Sequence, residues 1–171
     1  MSGVSVSQTE FHGIRVRVDS ALTVDQLAQR LRARMGRADL VQLGVLAREA
    51  ATEEEYAREV ERRFVGESGF MLFAELDHGA WLSRFGVRRQ ALRWILGNPL
   101  IAITMLRHDV TAGLFAPVEI LLTDRQPEGG SSVTYLKPST LMGSNPKVLE
   151  AARALDEKLA SFITRSANAD D

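Results

Sequence analysis

Between residues 69 and 138 the chain carries four apolar runs of strand length, "GFMLFAELD", "RQALRWILG", "GLFAPVEILLTD" and "SSVTYLKP". The first three are each cut off by a turn signal: Asp77-His78-Gly79, then Gly97-Asn98-Pro99, then "RQPEGG", whose proline and paired glycines mark a hairpin. Four strands in seventy residues commit the second half of the chain to one sheet. A fifth lies upstream, where "FHGIRVRVD" alternates Ile14, Val16 and Val18 against Arg15, Arg17 and Asp19, as suits a sheet edge.

Helical spacing fills the intervals. Thr23 and Gln26 form a capping box ahead of Leu27, Leu31 and Met35, with Gly36 as the stop. Two further helices are expected over 38–65, the second opened by Thr52 and Glu55 and striped by Tyr56, Val60 and Phe64. A short helical turn follows at "AWLSRFG". Asn98-Pro99 opens "PLIAITMLRHD", apolar on every side until Arg107, and such a helix has to be covered all round. Asn145-Pro146 opens the last helix, with Val148, Ala152, Leu155, Leu159 and Phe162 on one stripe. The expected fold is α+β: a single mixed β-sheet of about five strands with helices packed on it, in one domain over 1–171. Its folded core spans 10–165, and 166–171 is expected as a frayed tail.

At 171 residues and 45% hydrophobic content one full core is affordable, and the 22 acidic and 21 basic groups leave a net charge of -1. That balance gives nucleic acid or an anionic membrane no general attraction, so neither is expected as a partner. With no cysteine, disulfides, thiolate catalysis and thiolate-bound metals are excluded. The opening residues lack a signal-peptide pattern, and a cytoplasmic location is expected. No phosphate-binding glycine loop or nucleophile elbow is present, and "GESGF" has the wrong spacing for the latter, so no cofactor is expected.

The polar groups that stand out lie where the strands end. If the 70–77 and 91–97 strands are joined by a parallel crossover, Asp77-His78 and Gly97-Asn98 fall on one edge of the sheet. Two helix N-termini would then favour an anion in the crevice between them. His78 could carry a proton, oriented by Glu75 or Asp77; the plainer reading is that Asp77 and His78 cap the next helix. Trp81, Trp94, Asn98 and Glu119 are the expected ligand contacts, Glu119 needing a partner such as an arginine, or else a proton, if its face is buried. Arg107-His108-Asp109 closes the apolar helix, where cations suit the helix dipole. No histidine pair has ligand spacing, so no metal is expected.

The succession of Asp77, Gly97-Asn98-Pro99, Asp109, Pro117 and Pro138 resembles the family called domain of unknown function 302. The resemblance covers roughly 68–165, with 11–36 joining it and the helices of 38–65 standing as an insertion. It implies a small α+β fold that commonly pairs as a homodimer, and no shared chemistry. The expectation is a homodimeric protein binding a small organic molecule, an anion being favoured, near 77–79 and 97–99. The alternative is an enzyme acting on a small carbonyl or polyketide-like substrate, with His78 as proton carrier.

Overall fold

The computed structural model describes residues 3–169, which form six strands and six α-helices. The strands are β1 (Arg15–Ser20), β2 (Gly36–Arg37), β3 (Met71–Asp77), β4 (Ala91–Gly97), β5 (Val118–Asp124) and β6 (Ser131–Leu136). The helices are α1 (Val24–Arg34), α2 (Leu40–Glu49), α3 (Glu53–Phe64), α4 (His78–Leu82), α5 (Pro99–Leu106) and α6 (Pro146–Ala167). The sheet runs β1-β6-β5-β4-β3-β2, antiparallel throughout except for the parallel β2–β3 pair. It is a single mixed sheet in an α+β fold, with six strands rather than five. The additional strand, β2, is two residues long and carries no apolar alternation to betray it.

Local chemistry sets the helix starts. The Thr23 hydroxyl oxygen accepts from the Gln26 backbone amide while Gln26 Oε1 accepts from the Thr23 backbone amide, the expected capping box. Asp39, Thr52, Asp77, Asn98 and Asn145 cap α2 to α6 in turn. The alternation of β4 and β5 sends Trp94, Leu96, Ile120 and Leu122 to one face, where they meet Leu27 and Leu31 of α1 and Leu155, Leu159 and Ile163 of α6. Met71 points oppositely to Leu72 and joins a second core with Leu43, Leu46, Val60 and Phe64, so α2 and α3 cover one corner of the other face. The rest of that face is bare: Leu76, Arg93, Leu121, Thr134 and Arg17 stand side by side across five strands.

The α2–α3 corner is fastened at one crossing. The Gly36 amide donates to Phe70 O at 2.9 Å and the Ala38 amide to Leu72 O at 3.0 Å. The chain over Phe64–Gly66 passes directly on Gly36: a Cβ there would overlap the Phe64 carbonyl oxygen and lie 2.8 Å from the Gly66 nitrogen. Glycine is required by backbone meeting backbone.

Three expectations are corrected. β3 and β4 are antiparallel, pairing Met71 with Gly97 and Asp77 with Leu92. The connection spends its residues on five-residue α4 and a 3-10 turn, and a helix of about 7.5 Å cannot carry the chain back along the sheet. The tail expected to fray from 166 is helical to Ala167; Ser166 and Ala167 are buried, and the Ser20 hydroxyl donates to Ala167 O at 2.6 Å. Residues 170 and 171 lie outside the described residues. Finally, α5 is not covered all round within the chain, since Ile103 and Thr104 are exposed. It buries Met105 and packs against α6, leaving Ile103 as its exposed large apolar side chain.

Candidate functional site

Antiparallel pairing separates the two turns expected to share a crevice by the length of a seven-residue strand, about 20 Å. Each turn borders its own cavity. The first, about 360 Å³, lies at Gly97-Asn98-Pro99 between α2, α3, α5 and the start of β5. Its walls include Leu43, Tyr56, Phe73, Met105, Pro117 and Leu155. Gly97 lets the Pro117 segment approach, since a Cβ there would stand 3.0 Å from Pro117 Cβ.

Polar groups at this cavity are already engaged. Asn98 is buried; its Oδ1 accepts from the Leu100 amide at 2.8 Å and its Nδ2 donates to Gly69 O at 3.1 Å. The Ile101 and Ala102 amides donate to Asn98 O, and Pro99 has no N–H. The first turn of α5 therefore offers no free donor, and the anion expected at this helix start has nothing to bind there. The Tyr56 hydroxyl is the polar side-chain group on the wall whose hydrogen-bonding capacity is not already spent. Burial pushes the Tyr56 phenol above its ordinary value of 10.0.

The second cavity, about 410 Å³, is a groove on the bare sheet face, lined by Arg15, His78, Arg93, Phe115, Glu119 and Leu121 among others. Glu119 is exposed and accepts from Arg93 Nε at 2.9 Å, so the arginine partner is present although the face is not buried. His78 Nδ1 accepts from the Trp81 indole at 3.3 Å, which places the proton of the neutral ring on Nε2.

The expected proton-transfer group is not assembled. Glu75 lies on the helix-covered face, held by Arg32 of α1 through Nε at 3.1 Å, and Asp77 Oδ1 accepts from the Ala80 amide at 3.0 Å as the cap of α4. Trp81 is 51% exposed and lines neither cavity. Trp94 is wholly buried in the main core with the Arg32 guanidinium 4.7 Å from its ring centre, so it is a packing residue and not a ligand contact. Of the expected contacts, Asn98 borders the first cavity and Glu119 and His78 the second. Leu43 and Tyr56 went unnoticed because an apolar stripe facing a cavity looks the same in sequence as one facing a core. The only available hint was a hydroxyl on the α3 stripe.

Among the described residues no cluster of three or more histidine, aspartate or glutamate side chains is placed to hold a metal ion. No helix among them is long and apolar enough to cross a membrane.

The family model described as "Domain of unknown function DUF302" matches residues 47–166. The matched span takes in α3, which the sequence suggests is part of an insertion. No curated protein matches the chain. Among solved structures, the chain is similar to the uncharacterized conserved protein DUF302 from Bacillus stearothermophilus. Their TM-score is 0.63 at 17% identity, over 89% of this chain and 97% of that one. At that identity the likeness speaks for the fold.

Proposed function

The chain belongs to the DUF302 family, a domain of unknown function, and we propose that it serves as a binding module for a small, largely apolar molecule. The observation that carries this reading is the cavity of about 360 Å³ beside Gly97-Asn98-Pro99. Its volume falls in the range of small-ligand pockets, its walls come from both cores, and its buried Asn98 already has partners. An apolar hollow of this size in a domain of 171 residues costs packing energy that a ligand would restore. The test is thermal unfolding with 1-octanol as probe. The melting temperature rises with probe concentration, and the rise disappears in Ala102→Phe, which fills the cavity. No rise, or an equal rise in the folded variant, overturns the reading.

Self-association is favoured by a different observation: the bare sheet face presents Leu76 at 40% and Leu136 at 50% exposure on either side of Leu121. We place the homodimer contact on this face rather than on α5. Light scattering behind a sizing column reads it directly: a dimer that becomes monomeric in Leu121→Lys agrees, and a monomeric parent chain refutes it.

A further inference from the structure

We propose that the ligand of the apolar cavity is an amphipathic organic acid whose carboxylate is held by Lys158, an inference that rests on the cavity reading above. Ile101 of α5 and Leu155 of α6 line the cavity on one side and, on the other, a groove of about 640 Å³ between the two helices. The groove also carries His108, Lys147, Glu150 and Lys158. Lys158 follows Leu155 by three residues, so one turn of α6 sends an apolar side chain to the cavity and a cation to the adjoining groove.

Lys158, itself exposed, reaches back over Gly69. A side chain at Gly69 would overlap its Cε and Nζ, so the ammonium occupies the space that the missing Gly69 side chain leaves. The Gly69 carbonyl takes the Asn98 amide at 3.1 Å, and Asn98 lines the cavity. The chain of contacts from ammonium to cavity is thus two residues long. Lys158 forms no ion pair among the described residues, whose one lysine bridge joins Lys137 to Asp156. An ammonium without a counter-charge, beside an apolar hollow, matches a molecule with an apolar body and one acidic end. Lys147, near the start of α6, lies too far along the helix to share that end, about 16 Å from Lys158.

Isothermal titration with octanoate and 1-octanol tests this on the full chain and on Lys158→Met, which keeps the apolar stem and removes the charge. A purely apolar site prefers the alcohol, because the carboxylate loses more hydration. The expected result is octanoate bound about tenfold more tightly than octanol. That preference is lost in Lys158→Met, kept in Lys147→Met and weakened by salt, while octanol binding stays constant. Equal or tighter binding of octanol to the parent chain overturns the assignment and leaves the cavity reading standing. So does an unchanged octanoate preference in Lys158→Met. Binding of neither probe overturns both.

Discussion

Two glycine-to-alanine substitutions, 8 residues apart, should move stability in opposite directions. In Gly36→Ala the new methyl group overlaps the Phe64 carbonyl oxygen and stands 2.6 Å from its carbon, and neither atom belongs to a side chain that can rotate away. Relief requires β2 to leave the 64–66 segment, which lengthens the Gly36–Phe70 and Ala38–Leu72 hydrogen bonds. Two such bonds at about 1 kcal/mol each, with about 1 kcal/mol for the strain that remains, give a loss of about 3 kcal/mol. In Gly44→Ala the methyl group meets only the end of Arg48, 3.5 Å away, inside α2. There the substitution removes backbone entropy from the unfolded chain and gains about 1 kcal/mol. Urea unfolding followed by circular dichroism reads both. At a slope near 2 kcal/mol/M the midpoint falls by about 1.5 M for Gly36→Ala and rises by about 0.5 M for Gly44→Ala. A Gly36→Ala midpoint within about 0.5 M of the parent would refute the claim that backbone crossing at Gly36 fastens the α2–α3 corner.

Further expectations concern charge and light. Hydrogen bonds from Arg62 and Arg63 hold the Glu59 carboxyl at about 2, below its ordinary 4.5. A depressed carboxylate stabilises the fold above its unfolded value and loses that contribution as pH falls toward 2, so acid unfolding of Glu59→Gln should be less steep through this window. Both tyrosines are raised, Tyr56 by burial and Tyr135 by burial and then by Asp156. Their contribution is present below 10 and lost as pH rises through the folded values, and phenolate absorbance should appear at higher pH in the folded than in the urea-unfolded chain. Acrylamide should quench Trp81 and spare Trp94; in Trp81→Phe the remaining emission should be blue-shifted and resistant. Removing the half-exposed Glu75–Arg32 pair by Glu75→Gln should cost no more than about 1 kcal/mol in the same urea assay.

What could be read from the sequence was whatever short stretches decide by themselves. Thr23 with Gln26, and Asn98 with Pro99, announce helix starts because the hydrogen bonds involved span two or three residues. The alternation of Val118, Ile120 and Leu122 announces a strand for the same reason. The direction of β4 against β3 is decided elsewhere, by how far the chain travels through α4 before it turns. One wrong direction brought Asn98 and His78 together on paper, although they belong to different cavities. Trp94 and Tyr56 show the complementary difficulty. Each is a large ring on the apolar side of its element, and only tertiary packing makes one a core filler and the other a cavity wall.

The brevity of β2 has a consequence for how copies of this chain meet. A two-residue strand covers only Met71 and Leu72, after which β3 breaks register at Phe73 and carries Glu75 and Asp77 along its outer margin. At the far margin β1 sets Arg15, Arg17 and Asp19. Interrupted and charged margins make poor templates for an incoming strand, so end-on polymerisation of sheets is opposed at both sides. The molecule should grow no fibres when concentrated, while the bare part of one face stays open to a second copy.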